Sequence, residues 1–139
     1  MAITAAICNS FKKEILGGEH LAADAYKIAL YTSAASLDAS TTAYSATNEV
    51  TGSGYSAGGI AMVGYTRAGS GAIQWIDWTT DPVWNPATIT ARGALIYNSS
   101  NANKAVAVLD FGSDQISTNG PFTVVLPTAD ASNAIIRIA

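Results

Sequence analysis

The chain has little of what catalysis and metal binding usually need. Among 139 residues there is 1 cysteine and 1 histidine, and 17 side chains are charged, 7 basic and 10 acidic. That share of charge, 12%, is about half the usual one. With Cys8 alone, no intrachain disulfide is expected. Cys8 and His20 together fall short of the four ligands of a structural zinc site, so no metal is expected either. The net charge is -3 and the sequence pI is about 4.8, with lysines and arginines thinly spread. Such a balance argues against direct nucleic-acid binding and against an anionic membrane surface. No apolar run reaches 18 residues, so no transmembrane span is expected. The opening MAITAAICNSFKKEIL places its apolar stretch before its lysines, the reverse of a secretory signal, and predicts synthesis in the cytoplasm.

What remains is abundant and small. Alanine, glycine, serine, threonine and asparagine supply more than half of the chain. They make a surface of small side chains that buries easily against another protein. At 14.3 kDa the chain suits one domain over residues 1–139, folding to about 6,800 Å² from about 20,700 Å² unfolded.

A short helix is expected at the front, capped by Asn9 or Ser10, with Phe11, Ile15 and Leu16 as its apolar side. Gly17 and Gly18 stop it. From Tyr26 the period changes to two, and YKIALYT reads as a strand. Residues 32–59 then lack a clear period, with four glycines, many hydroxyls and the isolated anchors Leu37, Tyr44 and Tyr55. Either this segment hides a short element, or it is a long loop or arm with a partner to reach. Strands are expected over 60–67 and 71–78, joined by a turn at 68–70. TTDPVWNP reads as a corner or edge. ATITARGALIYN reads as one bent strand or two short ones, with Gly93 at the bend. KAVAVLDF, FTVVLP and AIIRI complete the set. Seven or eight strands with one short helix predict a mainly β, antiparallel sandwich or jelly-roll-like barrel. Its buried stripes are expected to hold Ile28, Leu30, Ile73, Trp75, Leu95, Val106, Val108, Val124 and Ile136.

No constellation of catalytic residues assembles. His20 has no nucleophile beside it in sequence and reads as a hydrogen-bonded structural residue. Cys8, despite Lys12 and Lys13 nearby, reads as a buried inert thiol. Asp77 and Asp81 flank Trp78 and Trp84, which suggests an acid and a stacking platform for a sugar; a turn at Asp81-Pro82 and indole packing explain them as well. Asp110 and Asp114 lack calcium-loop spacing. The two Gly-Ser-Gly triplets lack the strand-then-helix setting of a phosphate loop. Asn98-Ser99-Ser100 matches a glycosylation acceptor without secretory context. No enzyme and no cofactor are expected.

The blocks CNSFKKEIL, KIALYTSAASLDASTTAYSATNEVTGSGYSAGG, NPATITARGALIYNSSNANKAVAVLDFG and FTVVLPTADASNAIIRIA, in this order, resemble small structural proteins of tailed bacteriophages. The likeness spans nearly the whole chain and is greatest to capsid cement, or decoration, proteins. It implies a jelly-roll barrel on the outer surface of the icosahedral head, bound to the major capsid protein and stabilising its lattice. It supplies no catalytic residues. Self-association as dimers at local two-fold positions, or as trimers at three-fold ones, fits such a place. Tyr44, Tyr55 and Trp84 are the candidate interface anchors, because aromatic side chains give large contact at small entropy cost. Lys27, Arg67, Arg92 and Arg137 are either solvated strand residues or contacts for an acidic capsid patch. Two other functions stay open: a neck or tail accessory protein, and a carbohydrate-binding adhesion module using Trp75, Trp78 or Trp84.

Overall fold

Strand periodicity organises most of the chain. In the computed structural model, which describes residues 2–130 and 132–138, the elements run β1 (Ala6–Ile7), α1 (Asn9–Leu16), β2 (Tyr26–Tyr31), β3 (Ile60–Ala61), β4 (Val63–Ser70), β5 (Ile73–Thr80), β6 (Val83–Asn98), β7 (Lys104–Thr123) and β8 (Ile136–Ile138). They form two antiparallel sheets, one in the order β1-β7-β6-β2-β3 and one in the order β4-β5-β8. The protein is mainly β with one short helix. Neither sheet closes into a barrel, contrary to the jelly-roll barrel expected. In the larger sheet the outer strands β1 and β3 are 2 residues long each, too short to meet and close a ring.

The chain passes between the sheets in short steps. Met62, buried, separates β3 from β4, and Asp81-Pro82 separates β5 from β6. Aromatic rings fill the space where the sheets meet. Tyr26 of β2 lies 5.6 Å from Tyr65 of β4 and 5.4 Å from Trp78 of β5, and the last two are 5.7 Å apart. Burial of such rings, with edge and stacked contacts, supplies a large share of what holds two small sheets together. The chain's accessible surface, 6878 Å², matches the area expected for its mass.

Four details differ from expectation. The helix starts at Asn9, with Cys8 in the capping position and no side-chain cap, and the Ser10 hydroxyl is buried without a partner. Phe11 is buried, but Leu16 is 90% exposed because, five residues on, it lies about 140° around the helix from Phe11. The β4–β5 turn falls at Gly71 and Ala72, where Gly71 adopts φ 60° in the first of the two turn positions; residues 68–70 stay in the strand. Ile73 and Trp75 are half-buried, and Trp78 takes the core position instead, because both faces of this strand carry bulk and parity alone decided between them. The other seven expected core residues are buried.

The largest difference concerns β7. The polar stretch between KAVAVLDF and FTVVLP continues the strand, and β7 pairs with β6 from Lys104 to Thr123. The long β6 is irregular beside Gly93, as the glycine suggested: between Gly93↔Asp110 and Ala91↔Gln115, a step of two residues on β6 faces five on β7. The hairpin therefore has a half near its turn that is buried on both faces. Its other half is a ribbon with one face outward.

Candidate functional site

Residues 32–59 fold back on their own domain, and the reason is one carboxylate. Glu49 is buried, and no basic side chain pairs with it among the described residues. Tyr44 donates its hydroxyl to Glu49 Oε2 at 2.6 Å, Tyr55 donates to Oε1 at 2.6 Å, and the Gly58 N–H donates to Oε1 at 2.7 Å. Each partner is tied further. Leu30 N–H donates to the Tyr55 hydroxyl at 2.9 Å, and the Tyr97 hydroxyl donates to the Gly58 carbonyl at 2.6 Å. Tyr97 stacks on Tyr44 with centroids 4.7 Å apart. Burial, with the Glu49 carboxylate adding to it, pushes the Tyr44 and Tyr55 hydroxyls far above their ordinary range, so both remain proton donors. At Gly59, φ 75°, a Cβ would lie 1.7 Å from the Ile28 carbonyl oxygen, so the segment can lie this close to β2 only with glycine there.

Two candidate anchors, Tyr44 and Tyr55, thus spend their polar ends inside the chain. The third, Trp84, is 3% exposed, packed between Tyr55 and Phe122 at centroid distances of 5.8 Å and 6.2 Å. Within the chain, all three rings make intramolecular contacts. Glu49 was not singled out from sequence. The signal for it was a lone acid among tyrosines in a segment that is otherwise almost uncharged.

Of the three indoles weighed for sugar stacking, Trp78 and Trp84 are buried, and only Trp75 is partly open. Asp77 is buried as well, while Asp81 is exposed and accepts the Leu126 N–H at 2.9 Å. The two acids line one cleft of about 370 Å³, with the segment from Val125 to Ala129 forming its other wall.

His20 sits in a closed polar knot. Asn98 is oriented by donating its Nδ2 to Asp24 at 2.7 Å and accepting the Ser100 N–H at 3.0 Å, so the same Nδ2 donates to His20 Nδ1 at 3.2 Å. The ring proton therefore lies on Nε2, which donates to Glu14 at 3.0 Å. Lys104 bridges Glu19 and Glu14 beside it. Nothing nucleophilic joins this knot. Cys8 is fully buried, and its pKa is pushed up to about 11 by burial, with Asp38 and Glu14 adding to the rise. Arg92 reaches Asp114 at 3.5 Å across the hairpin, Arg67 and Arg137 are exposed, and Lys27 is half-buried. Among the described residues no group of three His, Cys, Asp or Glu side chains is placed to hold a metal.

The outward ribbon carries the most conspicuous open surface. β1 pairs with β7 only at Ala107 and Val108, so from Leu109 to Thr123 the outer edge of β7 has no strand beside it among the described residues. A groove of about 350 Å³ runs there, lined by Phe111, Ile116, Phe122 and Val125 among others. Ile116 is 71% and Val125 77% exposed. Neither was singled out from sequence, although Ile116 is the lone apolar residue in SDQISTNG. An unpaired edge beside apolar side chains is what strand-addition partners use. No family model, no curated protein and no solved structure matches this chain.

Proposed function

We infer that this chain is a structural virion protein of a tailed bacteriophage, a cement or decoration protein on the outer capsid surface that stabilises the major capsid protein lattice. The reading rests on the sequence resemblance, and one structural observation supports it: the free edge of β7 with its apolar groove. Cementing a shell calls for contact area rather than chemistry, and an edge with exposed Ile116 and Val125 offers backbone hydrogen bonds and apolar burial together. Few charges oppose such contact, Asp114 being paired with Arg92. Eight strands divided five and three suit a jelly-roll-like sandwich, which distributes that number over two sheets. Self-association as a dimer or trimer would use the same edge.

Cryo-electron microscopy of native particles tests this directly, with density expected on the outer face of the capsid lattice. Density only at the neck or tail would move the chain to an accessory role there. Absence from every particle would overturn the virion reading. Binding of the isolated protein to stripped capsids adds a residue-level check, since Ile116→Asp with Val125→Asp should weaken it at least tenfold. The glycan-binding reading predicts changes in indole fluorescence with sugars, and burial of Trp78 and Trp84 weighs against it.

A further inference from the structure

The cleft beneath Val125–Ala129 poses a physical problem that the rest of the molecule does not. Asp77 is 2% exposed; its Oδ1 accepts the Trp78 N–H at 2.8 Å, and the Ile135 N–H also acts on the carboxylate. Its Oδ2 is buried with no hydrogen-bond partner, and no basic side chain pairs with it among the described residues. A buried carboxylate oxygen left bare is costly, and native proteins rarely keep one without a use. Glu49 shows the contrast, because its two oxygens receive three donors.

The surroundings indicate what would complete the site. Pairing of Thr66 with Asp77, and alternation along β5, place Thr66, Asp77 and Thr79 on one face of the β4–β5 sheet. All three line the cleft of about 370 Å³, and Asp81 adds a second carboxylate. Burial holds the Asp77 carboxyl above its usual range, the Trp78 and Ile135 N–H groups pull the other way, and Asp81 adds to the rise. The cleft thus carries two carboxyl groups, and no basic side chain pairs with either among the described residues. Its volume is roughly twelve times the ~30 Å³ that one water occupies, which leaves room for a polyatomic head group. Leu126 and Val125 give it an apolar wall, which suits methylene groups behind a charged head.

We propose that the Asp77–Asp81 cleft binds an aliphatic ammonium or guanidinium group, the head paired with Asp77 and Asp81 and the stem lying along Val125 and Leu126. The head brings the hydrogen-bond donors that Oδ2 lacks, and the threonine hydroxyls of the same face add polar contacts. Two sources carry this chemistry: a free amine such as a polyamine, and a lysine or arginine side chain presented by a partner protein. The site adjoins the β7 groove through Val125, which lines both, but it does not depend on the virion reading, because binding is read on the isolated chain.

The test is a titration of the full-length labelled protein at constant ionic strength, followed through the aspartate side-chain carboxyl carbons by NMR. n-Butylammonium and n-butylguanidinium should shift the Asp77 and Asp81 signals saturably and lower the apparent pKa of Asp77 by at least one unit, a tenfold change in proton affinity. Asp77→Asn should abolish the saturable response. Asp81→Asn, at an exposed position, should weaken it severalfold, and keeps the test decisive if the core variant folds poorly. Tetramethylammonium, which has no N–H, should do nothing. Spermidine and the blocked peptides Gly-Lys-Gly and Gly-Arg-Gly separate the sources: binding of the peptides assigns the cleft to a partner's side chain, and binding of free amines alone assigns it to a small molecule. Equal shifts with sodium or tetramethylammonium, a response to calcium alone, or no saturable shift with any amine would overturn the proposal.

Discussion

The segment 32–59, without a named strand, and the paired ribbon formed by the far halves of β6 and β7 invert the usual link between secondary structure and anchorage. The first has no named strand, yet its ends and middle are tied to the domain. Thr32 N–H donates to the Asn48 carbonyl, Val50 N–H to Leu30, and Tyr44 N–H to Asn103, around the Glu49 hub. The second is paired strand, though with register shifts, yet one face and one edge meet solvent. Hydrogen bonding along a strand satisfies the backbone but does not bury a side chain, whereas a single buried acid can gather a long loop onto a core. In this protein the loop is the fastened part, and the strand is the part left open to solvent.

The strongest way to break this contrast is to remove its hub. Glu49→Leu leaves the Tyr44 and Tyr55 hydroxyls and the Gly58 N–H without their acceptor, and should cost about 4 kcal/mol in urea unfolding, with each orphaned donor worth about 1–3 kcal/mol. A loss below about 1 kcal/mol would mean that the loop holds without it. A gentler probe is Tyr97→Phe, which keeps the ring stacked on Tyr44 and deletes one hydrogen bond to Gly58. It should cost about 1–1.5 kcal/mol, and hydrogen exchange should speed up at Tyr44 and Val50 more than at Leu95. Uniform acceleration would show that the loop opens only with the whole domain.

Asp77 sharpens the comparison from the other side, since it is a buried acid without a hub. Its carboxyl titrates above the unfolded value, so over that window the folded chain holds a proton that the unfolded chain has lost. Stability contributed by the protonated form is complete below the unfolded pKa and is lost as pH rises through the folded one. Asp77→Asn should remove that slope and raise stability at neutral pH by about 1 kcal/mol, measured by thermal unfolding across pH. A destabilised variant with an unchanged slope would contradict it. The smallest expected effect lies on the ribbon. Ile116→Asp and Val125→Asp should each change stability by less than about 0.5 kcal/mol, because both side chains are already in water. A larger loss would show that the groove is part of the core.

Legibility in the sequence followed the reach of the interactions. YKIALY declared β2 through alternation, and Gly17 marked the end of the helix, because both signals are local. Gly93 marked the irregularity in β6 for the same reason. The middle of β7 was hidden, since SDQISTNG has turn-like residues and becomes strand only because β6 lies beside it. The choice of Trp78 over Trp75 as the core indole depends on which face meets Tyr26, a residue from the other sheet. Glu49 was invisible as a hub, because Tyr97, which completes the cluster through Gly58, lies 39 residues beyond Gly58 in sequence. The Asp77–Asp81 pair was visible as a pair, but the bareness of one carboxylate is a property of packing alone.

The single thiol gives this chain a clock. Cys8 joins β1 to α1, its N–H donates to the Val106 carbonyl, and its sulfur has no exposed surface. With a pKa near 11 and no solvent access, it is silent toward disulfide reagents while the front of the molecule stays closed. Every labelling event therefore requires an opening of that corner, read from the unmodified protein without an introduced probe. Timed on free protein and on protein bound to a partner, the same atom would report how far capture at the distant ribbon slows the breathing of the opposite end of the fold.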